Sequence, residues 1–424
     1  MMLELDRSQE FNPRQDEQFF QAVPESPGIL LIEMCAPSAH AHLVRTADLR
    51  RAAERLLRPA EPGSRRLNLR EVAARIRYRL TGSKFEQTFA LYQHARANFP
   101  DRYRDLLHLR PAALLKVNLR NDYPRCYVTR RLGADGGFYF GPFASRRAAD
   151  AFSEGFLDLF KIRRCQIKIR RDPSFPGCIY SEMKMCLAPC FAGCTKQEYD
   201  AEVGRVLDSL DTAGEALRTS VEREREAASE ALDFERAAAL HKRLEKVSAA
   251  LRGLPELARR IEDLDAVILQ RAVQEKTIAV FPLHAGILGE PSFLDFAELS
   301  SQPHSVEAIL REKLKPPVRA ETPGMNQGAE LGKGDPEPAK RPESTADWRA
   351  SYGLRAAPKE LAEHLSLVTR WFYSKPREGE VLFYEDEWPY RRILRACGRL
   401  LAPGAPASAE APQGDRVRKF LPES

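Results

Sequence analysis

Two rhythms of apolar and polar positions run along the chain. Short apolar runs of strand character come first, Gly28-Ile-Leu-Leu-Ile-Glu-Met and then His42-Leu-Val-Arg-Thr, followed by a helical segment over 47–57. Residues 67–99 are predicted helical because Val72, Ile76 and Leu80 recur at steps of four. Short β-like stretches at 114–117, 125–130 and 138–140 are broken by Asn-Asp, Tyr-Pro and Gly-Gly turns. An Ala-rich helix over 144–160 comes next. Residues 195–253 contain no proline and are dense in Ala, Leu, Glu and Arg, which predicts two helices packed as a hairpin. Thr195 with Glu198 three residues on spells a capping box at its start. After Pro255 the pattern turns to strands at 266–269, 277–281 and 292–296, with Gly286 and Gly289 in the turns. Helices are expected at 359–373 and 388–401.

These elements define an α+β multidomain chain. Residues 1–22 are polar and expected to fray. Residues 316–345 are rich in Pro, Gly, Glu and Lys and read as a disordered insertion, and 403–424 as a tail. No apolar run approaches the ~20 residues that span a bilayer. The first residues have neither an apolar core nor the Arg-rich, acid-poor character of a targeting segment, so a cytoplasmic protein is expected.

Charge changes the picture locally. Over the whole chain 66 Lys and Arg face 60 Asp and Glu, but between Pro100 and Arg171 the count is 16 against 7. Aromatic residues interleave this basic block, a composition suited to phosphate contact with base or sugar stacking. An arginine-rich soluble domain would look the same.

Cysteine placement is more specific. Of eight cysteines, five fall between Cys165 and Cys194. Four thiolates within about 30 residues are able to enclose Zn²⁺ or a [4Fe–4S] cluster. The spacing lacks the paired C-x2-C of a zinc ribbon, and buried free thiols are the plain alternative. Further on, Ala237, Leu240, Leu244, Val247 and Leu251 recur at steps of three and four as one apolar stripe. Spacing alone describes an ordinary bundle helix.

The motifs resemble the UvrC family of excision-repair proteins. Arg164-Cys165, Gly177-Cys178-Ile-Tyr and Met185-Cys186-Leu-Ala-Pro-Cys190 are similar to that family's cysteine region. The resemblance implies an iron–sulfur cluster on Cys165, Cys178, Cys186 and Cys190, with Zn²⁺ as the alternative and Cys194 extra. Ala231-Leu-Asp-Phe-Glu-Arg-Ala-Ala-Ala-Leu-His-Lys-Arg-Leu resembles the UVR motif, which implies docking to UvrB through Phe234, Glu235, Arg236, Ala237 and Ala238. Val117-Asn-Leu-Arg-Asn-Asp-Tyr-Pro and Tyr139-Phe-Gly-Pro-Phe resemble DNA-facing elements, implying DNA contacts by Arg120, Tyr123, Arg130, Arg131, Tyr139 and Phe140.

The start of the chain resembles a GIY-YIG nuclease domain, but Leu30, His42, Ala52 and Leu91 stand where that chemistry needs tyrosines, arginine and a metal-binding glutamate. The resemblance therefore implies a retained fold without incision and without catalytic Mg²⁺. An active centre rearranged around His42, Arg45 and Glu86 is the alternative, and a UVR adaptor that touches no DNA is a third. Residues 262–300 resemble strands leading into an RNase H-like region, with Asp263, Asp265 and Asp295 expected to be surface groups. The expected organisation is a degenerate GIY-YIG-like domain at 23–110 and a basic, cysteine-bearing region at 111–195. A helical hairpin at 196–254 and a C-terminal α/β region at 255–315 and 346–402 complete it.

Overall fold

The computed structural model describes residues 3–36, 40–61, 63–133, 137–299, 305–314 and 357–402. The 316–345 insertion and the 403–424 tail lie outside the described residues.

The N-terminal unit comprises β1 (Arg7–Glu10), α1 (Asp16–Ala22), β2 (Gly28–Met34), β3 (His42–Thr46), α2 (Leu49–Leu57), β4 (Ala73–Leu80), α3 (Lys84–Asn98) and α4 (Tyr103–Leu106). Its antiparallel sheet has the order β1-β4-β2-β3. Gly28 opens β2 where the backbone of β4 crowds in: a Cβ there would lie 2.3 Å from the Arg79 carbonyl oxygen. Gln87 of α3, itself buried, donates to the Gly28 and Thr46 carbonyls at 2.9 and 2.7 Å and pins the helix across β2 and β3.

Two expectations fail here. Residues 1–22 do not fray throughout: β1 pairs with β4, and Phe11, Phe19 and Phe20 fill the core beneath it. Those three aromatics anchor a segment that is polar on average. Residues 73–80 form a strand rather than a helix. Arg75, Arg77 and Arg79 alternate with Ile76, Tyr78 and Leu80, and this period of two outweighs the coincidental step of four.

The middle unit is built on β5 (Ala113–Val117), β6 (Cys126–Thr129), β7 (Phe138–Phe143) and α5 (Arg146–Leu157), followed by the cysteine segment with the short α6 (Ile179–Glu182). Three helices follow where two were expected: α7 (Lys196–Asp211), α8 (Glu215–Glu230) and α9 (Phe234–Leu251). Gly214 at φ +89° breaks the run between α7 and α8, and no proline was needed for it. The Thr195–Glu198 capping box is present as spelled. β8 (Arg259–Arg260) then returns to pair with β7.

The C-terminal sheet consists of β9 (Ala266–Arg271), β10 (Thr277–His284), β11 (Ile287–Leu288), β12 (Ser292–Asp295) and β13 (Glu380–Phe383), every pairing antiparallel. Around it lie α10 (Phe296–Leu299), α11 (Val306–Lys313), α12 (Pro358–Phe372) and α13 (Tyr390–Leu401). Both faces of β9 and β10 are covered. Ile268, Ala279 and Phe281 pack with α3 and α12, while Val267, Leu269, Ile278 and Val280 pack with α11 and α13. The helix α3 thus belongs to two cores, its own sheet and this one.

A buried polar knot fastens that junction. Glu363 of α12 accepts from Tyr92 at 2.9 Å and Tyr103 at 2.6 Å, and pairs with Arg104 at 2.8 Å. Stripping one partner from such a buried charge typically costs about 3–5 kcal/mol. Asp265, expected on the surface, is buried and accepts from the Ala285 amide at 2.9 Å. Its neighbours have local uses too: Asp295 caps α10 through the Ala297 amide.

Candidate partner and nucleic-acid interfaces

The degenerate nuclease positions do not converge. Direct cross-strand neighbours share a face, and the register sets His42 opposite Ile32 and Leu30 opposite Val44. His42, Leu30 and Ala52 therefore belong to the face covered by α2, where Leu30 and Ala52 are buried. Burial, with Arg55 nearby, lowers the His42 pKa and keeps the imidazole neutral. Leu91 packs on the opposite face with Ile29, Leu31 and Leu43. The rearranged centre fares no better: His42 and Arg45 are an odd number of residues apart on one strand and point to opposite faces. The Glu86 carboxyl is occupied by the Gly82 amide at 2.9 Å and by Arg79, and burial raises its pKa.

The cysteine segment is tied to the middle sheet by a buried arginine. Arg163 donates to the carbonyls of Tyr123 at 2.7 Å, Cys165 at 3.2 Å and Ile167 at 2.8 Å. Its guanidinium lies 3.9 Å from the Cys165 sulfur. Burial pushes the Cys186 thiol up to about 11, and the charges of Cys165, Cys190 and Cys178 add to the rise, so these four face a common region. The Ala188 amide donates to the Cys186 sulfur at 3.3 Å, and the Phe191 amide to Cys190, donors that suit thiolates. Cys194 packs in the middle core, where burial raises its pKa and the charges of Glu198 and Cys190 add to the rise. Among the described residues no three of His, Cys, Asp and Glu close to metal-ligand arrangement. The donor set thus fits a thiolate-held group in chemistry and neighbourhood, and not yet in distance.

The helical hairpin α8–α9 presents an unusual tip. Leu232 adopts φ +57° in the turn, and Asp233 caps α9 through the Arg236 amide at 3.0 Å. That turn leaves Leu232 70% and Phe234 69% exposed. The stripe Leu240, Val247, Ala237, Leu244 and Leu251 instead faces inward on the middle core. Glu235, Arg236 and Ala238 are exposed beside Phe234.

The expected DNA-facing set splits in two. Arg120, Arg130 and Arg131 are exposed. Tyr123, Tyr139 and Phe140 are not: Tyr139 is fully buried, Phe140 stacks on Phe152 at 6.1 Å, and Tyr123 packs edge-on to Tyr199 at 5.2 Å. These three side chains are core, and base stacking is closed to them as placed. The sequence pattern did not single out Arg110 and Arg370, which line one cleft with Arg130 and with Arg45, a residue named only for the rearranged centre. No local signal joins residues so far apart in the chain.

Residues 113–209 match the family described as UvrC/Cho excinuclease, middle domain. Three similar curated proteins are each named UvrABC system protein C. That of Dehalococcoides mccartyi is 26% identical over 277 residues, 64% of this chain and 45% of that protein. That of Carboxydothermus hydrogenoformans is 28% identical over 287 residues, 66% of this chain and 46% of its own length. That of Ruminiclostridium cellulolyticum reaches 30% over 182 residues, 42% of this chain and 30% of that protein. In each case the match spans less than half of the relative. No solved structure matches.

Fold and matches together define a multidomain α+β protein built around an excinuclease middle domain. The chain belongs to the UvrC family, as a divergent member. Among the described residues no helix is long and apolar enough to cross a membrane.

Proposed function

We propose that this chain acts in nucleotide excision repair as a UvrC-type protein that binds DNA and docks UvrB, without cutting either strand itself. The observation that carries the docking half is the hairpin tip, where an aromatic and a leucine are held in solvent by a capped turn. Burying both against a partner supplies the apolar anchor of a hot spot, and Glu235 and Arg236 supply its polar rim. Support for absent incision is the separation of His42, Leu30 and Ala52 from Leu91 on opposite faces of one sheet. On this reading the sheet is a GIY-YIG-like scaffold kept for shape.

The four clustered cysteines would hold a [4Fe–4S] cluster, with Zn²⁺ as the alternative. A group bound there would cross-link the loops around Cys165, Cys178 and Cys186–Cys190, a segment otherwise held by Arg163 and Glu202. Anaerobically purified protein is expected to contain iron and acid-labile sulfide with a broad visible absorbance. Colourless protein with neither metal removes this assignment. With UvrA and UvrB supplied, lesion-bearing duplex is expected to stay intact in Mg²⁺ or Mn²⁺. Metal-dependent incision that disappears in His42→Ala would overturn the non-cutting reading.

A further inference from the structure

Where the N-terminal sheet, the middle unit and α12 meet, an open cleft of ≈ 620 Å³ is lined by Arg45, Arg110, Arg130 and Arg370. No Asp or Glu lines it. Arg370 is fixed in the wall, donating to the His108 carbonyl at 2.7 Å and the Leu107 carbonyl at 3.2 Å. Burial lowers its pKa, and Arg45 and Arg110 lower it further, so three like charges press on one another without a carboxylate between them. All four arginines are exposed, Arg370 with its guanidinium turned to the wall, and among the described residues none of the four forms an ion pair with an acid. Such a constellation is less stable empty than with an anion in it.

Other features of the wall point to the same class of ligand. Thr369 keeps a buried hydroxyl oxygen with no hydrogen-bond partner. The helix α5 begins on the wall at its cap Ser145, where the positive end of the helix dipole favours an anion. Guanidinium forks match the paired oxygens of phosphate, as they do those of a carboxylate. The exposed arginines edge a cleft open to solvent, and a positively charged groove of that kind suits a polymer backbone. Leu91 also lines the cleft, so the wall offers no carboxylate for a divalent metal.

We propose that this cleft binds the phosphodiester backbone of a DNA strand and holds it uncut. The proposal rests on the DNA-binding reading above, shares Arg130 with it, and adds Arg45, Arg110 and Arg370. The test measures binding of labelled single-stranded and duplex DNA by the full chain over a salt series. Arg45→Gln/Arg110→Gln is compared with Arg120→Gln/Arg131→Gln, two exposed arginines that do not line the cleft. The cleft variant is expected to bind DNA at least about tenfold more weakly, with a salt slope reduced by about 2. Its melting temperature at low salt is expected to rise, because like charges have been removed; a fall would mark these arginines as structural and overturn the proposal. Full DNA affinity in the cleft variant overturns the cleft while leaving the broader reading in place. No DNA binding by the unmodified chain sinks both. Displacement of DNA by inorganic phosphate or a nucleoside triphosphate at matched ionic strength would identify a small-anion site instead, and tighter binding of RNA of the same sequence would reject DNA as the occupant.

Discussion

The aromatic residues of the middle sheet and the one at the hairpin tip carry equally motif-like spellings, yet they meet opposite fates. Tyr139 and Phe140 sit on β7 between β5 and β8, and every residue of that strand is buried. Phe234 begins a helix just after a left-handed turn and projects into solvent. A motif residue in a central strand answers first to packing. One at a capped helix start escapes the core and stays exposed.

The largest effect that sharpens this contrast is Phe140→Ala. Phe140 is 1% exposed and packs against Phe143 and Phe152. Removing a buried phenyl ring leaves a cavity, and a loss of about 3–5 kcal/mol is expected in chemical denaturation of the chain. A loss below about 1 kcal/mol would mean that the strand is more open than placed, and would return Phe140 to the DNA-facing set.

A second, somewhat smaller effect reads the junction beside the cleft. His364 of α12 is buried against Tyr92 and Phe89, its Nδ1 accepts from the Leu288 amide at 3.0 Å, and burial lowers its pKa to about 4. Glu360 and Glu363 oppose that shift, while Arg96 adds to it. The folded state thus needs the neutral ring. Its contribution is fully present above the ordinary value of 6.5 and is lost as pH falls through about 4. The loss amounts to something on the order of 3 kcal/mol at full protonation. His364→Gln, which still accepts from Leu288, is expected to flatten stability against pH in that window. An unchanged acid limb would show that the ring is solvated.

Much of the outline was legible beforehand because it is local. The Thr195 capping box, the strands at β5, β9 and β10 and the apolar stripe of α9 are all written within a few residues of themselves. Burial of Tyr123 and Tyr139 was not legible, since it depends on which strands flank theirs. Nor was the arginine cleft, whose walls come from β3, the segment before β5, the loop after β6 and α12. The Phe11, Phe19 and Phe20 cluster was hidden by the polar residues from 12 to 18, because average polarity erases a few aromatic anchors.

The smallest effect on stability is the most informative for function. Phe234→Ala removes a ring that is 69% exposed, and Asp233 and Arg236 keep the cap that starts the helix. Stability is therefore expected to change by no more than about 0.5 kcal/mol. Capture of purified UvrB is expected to weaken by about 2 kcal/mol or more, a factor of roughly thirty in Kd, as for an apolar anchor at the centre of an interface. Leu232→Ser should act in the same direction, because the two side chains are exposed together at the same turn. Ala239→Ser, also exposed but one turn further along α9, should leave binding unchanged. Loss of stability in Phe234→Ala together with intact UvrB capture would reverse the contrast, making the tip a packing element and moving the partner surface elsewhere.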